Sequence, residues 1–421
     1  MQLTAASHPS ALRARLGAAA CLLLASGMPG AARADAGAGN QLDATTLLYA
    51  ERNRTNVVEP AARLTHTFAD GQSLSAQFEY DVITGASPSG GSPSGTPQTT
   101  TSASGTVKTV SAGQVPLKDF KDSRYAADLE WQKPFLRSFL STLGGHFSRE
   151  KDYQSAGLNG KLSIDLMRRL TTLTLGGGVN RDRVFPVGGI PAGLSDGTAP
   201  PGPAARSKDV TTAMVGLSRV VTRRWLVGLN ATRTLERGYL TEPYKILSLL
   251  DGTTGLITGQ RTEDRPERRD RTSLLGSSVY HLTDDVLYLS YRWYRDDWRI
   301  RSHTIDARYR HELGNDDYLE PHLRLYSQTA AEFYRFSLVD GTPLPRYASA
   351  DYRIGALQSV TVGATYGFRV PGHPGEWTVR AEYIGQFGKG HPADAIGVQR
   401  DFDLFPQTDT GSLVVGYSIG F

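Results

Sequence analysis

Along much of this chain the side chains change character at every residue, the period of a strand with one apolar face. In residues 411–421, Leu413, Val415, Tyr417, Ile419 and Phe421 share one face, and Ser412, Val414, Gly416, Ser418 and Gly420 share the other. An apolar strand at the edge of a soluble sheet invites pairing with other chains; pairing it with the first strand of its own sheet closes a barrel and removes the edge. The alternation returns in residues 74–80, 125–131, 158–164 and 225–231, and later in 287–293, 305–309, 319–325, 360–366 and 377–383. Segments of roughly ten residues are what tilted strands need to cross a bilayer. No apolar run after residue 26 is long enough to cross as a helix, so a membrane would have to be crossed by strands.

The connections alternate in length. Short ones fall at 69–71, 133–137, 167–170, 221–224, 283–285, 314–317 and 371–376, and longer ones at 85–121, 151–157, 185–206, 239–268, 331–349 and 389–407. With tight turns at 52–55 and 298–300, the count comes to about sixteen strands, an even number with both ends on the short-turn side. The expectation is an all-β protein: a transmembrane antiparallel up-and-down barrel with short periplasmic turns and long extracellular loops. Residues 82–107 carry no charge and are mostly Ser, Gly, Thr and Pro; they are read as a mobile outer loop, with a constriction loop folded into the lumen as the alternative. Residues 244–250 and 256–257 around Asp251-Gly252 predict a hairpin beyond the membrane, and the mixed charges of 261–271 predict a solvated strand extension.

A mean hydropathy of −0.33 is too polar for a helical membrane protein and fits a barrel, in which alternate residues suffice. Near the start, Arg13 and Arg15 precede an apolar run (16–26) and Ala32-Arg33-Ala34, the pattern of a secretory signal peptide over residues 1–34. Residues 35–421 are then a single barrel domain, with the first strand near Thr45 and too little sequence before it for a plug domain. The one cysteine, Cys21, lies in the apolar run behind three alanines, a poor lipoprotein signal, and its removal leaves no thiol chemistry. Loss of three arginines takes the net charge from +4 to about +1, which gives nucleic-acid binding no support. Outer-membrane lipid and lipopolysaccharide, the barrel-assembly machinery and small solutes are the expected partners. No cofactor is expected.

Residues 291–310 are the densest in candidate chemistry. If Leu287, Leu289, Tyr291 and Trp293 face lipid, then Arg292 faces the lumen; on the next strand Asp306, Arg308 and Arg310 do so, and on the one after that Glu320, His322 and Arg324. Charges on the lipid side would cost a few kcal/mol near the midplane, which forces this parity. The wall then either neutralises itself or forms a selectivity surface, with the arginines outnumbering Asp306 and Glu320. Arg295, Arg299 and Arg301 at the outer tip are candidates for holding lipopolysaccharide phosphates. Enzyme motifs are weak: Ser302 and His303 lie near Asp296 and Asp297, but adjacent strand residues point to opposite faces. The histidines have no metal-ligand spacing.

Several phrases resemble a family of Gram-negative outer-membrane barrels known only as a domain of unknown function: Thr84-Gly-Ala-Ser-Pro88, Phe120-Lys-Asp-Ser-Arg124, Phe147-Ser-Arg-Glu-Lys-Asp-Tyr153, Pro186-Val-Gly-Gly-Ile-Pro191, Asp296-Asp-Trp298 with Arg301-Ser-His-Thr304, and Leu319-Glu-Pro-His-Leu-Arg-Leu-Tyr326. The resemblance implies one barrel at the cell outer membrane and brings no activity or catalytic residue with it. It also marks Tyr417, Ile419 and Phe421 as a C-terminal assembly signal of the kind outer-membrane barrels present. The functional expectation is a porin-like channel for small polar or anionic solutes. The alternatives are a barrel enzyme acting on lipid or peptide, or a filled-lumen scaffold or export partner for envelope proteins.

Overall fold

The computed structural model describes residues 38–421, apart from 102–106, 199, 201 and 315; the expected signal peptide lies outside the described residues. Sixteen antiparallel strands close into one up-and-down barrel. The first eight are β1 (Gly39–Glu51), β2 (Thr55–Thr67), β3 (Ser73–Pro88), β4 (Leu117–Phe135), β5 (Phe139–Arg149), β6 (Tyr153–Leu166), β7 (Thr171–Val184) and β8 (Arg206–Thr222). The rest are β9 (Trp225–Gly238), β10 (Arg268–His281), β11 (Val286–Asp296), β12 (Arg301–Gly314), β13 (Asp317–Gln328), β14 (Leu357–Phe368), β15 (Glu376–Gly388) and β16 (Thr408–Gly420). β16 pairs with β1, Tyr417 opposite Ala44, and the Phe421 N–H donates to Asn40 O at 2.8 Å. β1 starts at Gly39, earlier than the sequence pattern placed it, because Gln41 and Leu42 are paired on both sides. Pro60, which has no N–H to give, interrupts the ladder between β2 and β3.

The alternation seen in the sequence becomes the two faces of the wall. Outward side chains such as Leu143, Leu158 and Leu229 are 57, 68 and 57 % exposed, so the apolar face has no protein partner. Such a band calls for apolar surroundings. The buried hydrophobic clusters sit elsewhere, all at the ends of the strands that carry the long loops.

Those loops form one cap. The β9–β10 loop (239–267) is its hub: Ile246–Leu250 pairs with Ile257–Thr262, and Leu338–Val339 of the β13–β14 loop adds a parallel strand. The Ile246 N–H donates to Ser89 O and the Ser92 N–H to Ser248 Oγ, both at 2.9 Å, which ties the hub to the β3–β4 loop. Gln399 of the β15–β16 loop donates to Pro93 O and Gly255 O, each at 3.0 Å, and the Thr262 N–H donates to Ser195 O of the β7–β8 loop at 2.8 Å. Where the hub crosses the β15–β16 loop, Gly255 and Gly397 both hold positive φ (72° and 49°), and a Cβ on either would strike the other loop's backbone. The β3–β4 and β9–β10 loops rise six strand positions apart on the ring, across most of a diameter of roughly 30 Å for tilted strands 4.8 Å apart. Contacts between them therefore cross the mouth.

Two expectations change here. Residues 82–88 extend β3, and Ser89 and Ser92 are buried beneath the hub, so the base of the 82–107 stretch is packed into the cap. Strands of four residues (98–101 and 107–110) form its own small hairpin. In 261–271, Glu263, Arg265 and Arg269 are buried and ion-paired, whereas the sequence pattern predicted a solvated extension; the other loops fold over them and exclude water.

Candidate functional site

On β11, β12 and β13 the even-numbered residues take the less exposed, inward register, which places Arg292, Asp306, Arg308, Arg310, Glu320, His322 and Arg324 on one wall. Pairing sets Asp306 opposite Arg324 and Arg308 opposite His322. Asp306 is the centre: it accepts from Arg324 Nε at 2.7 Å, meets His322 Nε2 at 3.0 Å and has Arg308 Nε at 3.7 Å. Arg308 also reaches Glu320 at 3.6 Å, and the Arg310 guanidinium lies 3.6 Å over the Tyr318 ring.

Two carboxylates that sequence reasoning left out extend this wall. Glu312 pairs with Arg310 at 2.6 Å, and Glu382, on β15, takes His322 Nδ1 at 2.8 Å across the width of β14. With Arg380 and Glu376 on the same inward register of β15, five arginines (292, 308, 310, 324 and 380) share this wall with Asp306, Glu312, Glu320, Glu376 and Glu382, and the expected arginine excess is gone. The parity of Glu312 was legible in the sequence; the reach of Glu382 was not, because it depends on which strands stand two apart. Across the ring, β2, β3 and β4 turn Glu59, Glu79, Asp81, Asp128 and Glu130 inward against Arg63 and Arg124. β3 and β11 stand eight strands apart in the sixteen-strand ring, so this acidic arc faces the arginine-bearing one.

Above the lumen, the cap is held by a buried ionic network. Arg265 contacts Glu263 at 2.6 Å and Asp351 at 2.8 Å, while Arg353 pairs with Asp351 at 2.5 Å and lies 3.6 Å from Glu242. Ser349 Oγ and the Glu242 N–H both donate to Glu263, at 2.5 and 2.6 Å. Lys245 lies fully buried beside them and donates to Pro88 O and, at 3.4 Å, to Ser87 Oγ. Burial pushes the Lys245 ammonium down to about 8, although Asp351 pulls the other way. Burial likewise raises Glu263; for Asp351 the Arg353 and Arg265 charges outweigh burial and hold the carboxyl well below its ordinary range.

The remaining candidates separate. Ser302 is buried on the inner register, while His303 is exposed on the outer one and meets Tyr291 Oη at 2.7 Å, so the wall lies between the two. Asp296 is engaged by Arg269 at 2.5 Å. Arg295 and Arg301 point outward, and Arg299, in the turn at φ 70°, lies 3.6 Å from Glu332. Asp122, Glu150 and Asp152 bring their carboxylates within 4.8 Å of one another at the loop end, a grouping that their positions in the sequence did not reveal. Burial, together with the Asp122 charge, raises Asp152. Tyr417, Ile419 and Phe421 lie along the outward register of the closing strand, with the Tyr417 ring 4.7 Å from Trp377.

A family model described as a protein of unknown function, DUF3570, matches residues 13–419. The chain belongs to that family. No curated protein matches the DUF3570 chain. Among solved structures it is similar to OccK5 (OpdH) of Pseudomonas aeruginosa, at 9 % identity and a TM-score of 0.42, covering 91 % of this chain and 98 % of that one. It is also similar to OccK2 (OpdF) of the same organism in complex with glucuronate, at 10 % identity and a TM-score of 0.39, covering 91 and 98 %. The Pseudomonas aeruginosa ferric enterobactin receptor PfeA has 11 % identity and a TM-score of 0.43, over 84 % of this chain and 55 % of that one. At these scores no solute or mechanism carries across.

Proposed function

We propose that this barrel is an outer-membrane conduit for small polar solutes, lidded at its outer end by the loop cap. One observation carries the reading: the wall is apolar outside and ionic inside, and its packed apolar clusters are confined to the loop end. A membrane is the surrounding that satisfies the outer face, and sixteen strands leave an aqueous bore that wall side chains alone do not fill. The short turns then face the periplasm and the cap faces outward. The balance of five arginines and five carboxylates on one wall, opposite an acidic arc, favours dipolar solutes that can align across the bore over anions as a class.

Planar-bilayer recording tests this directly. Protein shown to be folded by a heat-dependent gel shift should give discrete conductance steps, with a reversal potential displaced to the cation side in a salt gradient, because the five carboxylates of the acidic arc outnumber its two arginines. Folded protein that gives no steps, even when the cap is loosened by mutation, would refute the conduit and favour a scaffold.

A further inference from the structure

The outer face of the wall carries a second charged feature, and it is one-sided. At the loop end of β5 and β7, Arg149, Arg181 and Arg183 are exposed and point away from the barrel. The row continues through Arg233 and Arg237 on β9, Arg268 on β10, Arg295 on β11 and Arg301 on β12, all exposed on the outward register. The strand partners of this arc contribute Asp209 and Asp270 in return: Arg233 pairs with Asp270 at 2.7 Å, and Arg181 lies 3.8 Å from Asp209. Arg149, Arg183, Arg237, Arg295 and Arg301 have no carboxylate within 4.0 Å among the described residues.

Register makes the arrangement costly on its own. Arg237 stands directly opposite Arg268 on one side and Asp209 on the other, and Arg295 stands directly opposite Arg301 with Thr272 on its other side. Like charges facing each other across a ladder repel, at a Cβ separation of about 5 Å, which one phosphate held between two guanidinium forks can bridge. On the other half of the ring the corresponding outward positions hold Ala50, Asn56, Thr84, Gln358 and Phe387, with Arg52, Lys121, Lys389 and Asp409 as the exposed charges, Arg52 lying 4.0 Å from Asp409. Just below the arginine arc the same face carries exposed Val179, Val215, Leu229, Leu274 and Ile305. Arginines directly above aliphatic surface fit an amphiphile with a phosphorylated head better than a free anion.

We infer that the outward arginine arc from β5 to β12 is a docking surface for phosphate-bearing lipid of the leaflet at the loop end, with head-group phosphates bridging the Arg237–Arg268 and Arg295–Arg301 pairs. The inference rests on the outer-membrane reading above. The test uses full-length barrel in micelles, verified by its heat-dependent gel shift, and native mass spectrometry with bisphosphorylated lipid A or its dephosphorylated form. Wild type should hold the bisphosphorylated lipid at least about tenfold more tightly, and R237Q/R295Q/R301Q should lose that preference, given that each basic residue near a phosphate surface contributes appreciably. R52Q/K121Q, on the other half, should bind like wild type, and millimolar inorganic phosphate should not release the lipid. Equal binding of the two lipids, undiminished binding by the triple variant, or release by free phosphate would overturn the inference. A chain that never yields a heat-shifting barrel would instead sink the outer-membrane reading itself.

Discussion

Replacing Arg265 by Met removes the guanidinium between Glu263 and Asp351 while keeping a side chain of similar length. Asp351 keeps Arg353, but Glu263 is left with only the Ser349 hydroxyl and the Glu242 N–H, in a site where all three ionised groups are 5 % exposed or less. Breaking one partner out of a buried pair costs about 3–5 kcal/mol, because the remaining charge stays desolvated. The cost falls on the cap alone, since the barrel ladder does not pass through residue 265. The open-to-closed ratio of the cap should therefore rise by two to three and a half decades, from about a hundredfold to a few thousandfold, at about 1.4 kcal/mol per decade. Single-channel recording would read this as longer and more frequent openings, and limited proteolysis as faster cutting within 239–267, with an unchanged heat-dependent gel shift. Arg265→Met protein with wild-type dwell times and cutting rates would refute the argument that this network holds the cap shut.

The remaining expectations concern the crossing, the buried lysine, the wall and the closing strand. Gly397→Val should force the β15–β16 loop off the hub, because its φ is positive and Thr254 O occupies the space; faster proteolysis of both loops without loss of folded barrel checks this. An exposed lysine titrates near 10.4 but Lys245 near 8, so between these values the open cap binds more protons and cap stability rises with pH, by at most about 1.4 kcal/mol per unit. Proteolysis should thus slow between pH 8 and 9.5, and Lys245→Met should flatten the dependence; acceleration in that window would contradict the sign. Arg308→Gln with Arg324→Gln leaves Asp306, Glu312, Glu320, Glu376 and Glu382 in excess on their wall and should move the reversal potential further to the cation side. Deleting Phe421 removes the backbone pair with Asn40 at the seam and should lower the outer-membrane yield of folded protein, measured by gel shift of membrane fractions; a wild-type yield would refute this.

The sequence alone determined what depends on neighbours two residues apart. The alternation in residues 287–293 and 305–309 already set Arg292, Asp306 and Arg308 on the inward register, because a strand allows only two faces and one of them must be apolar. The number of strands and the alternation of short turns with long loops followed from the same period and from the turn residues between. What the loops do was not legible. Residues 82–107 look unfoldable by composition, yet Pro93 O receives Gln399 from 306 positions away, and Lys245 is buried against Pro88 from the far side of the ring. The same holds for Glu382 reaching His322 over an intervening strand, and for Arg237 facing Arg268. These contacts exist only because sixteen strands close into a ring of one circumference, which decides which loops can touch across its mouth and which arginines share a height on its outer face. Local periodicity carries no record of that closure, so the wall could be read from the sequence and the cap only from the tertiary structure.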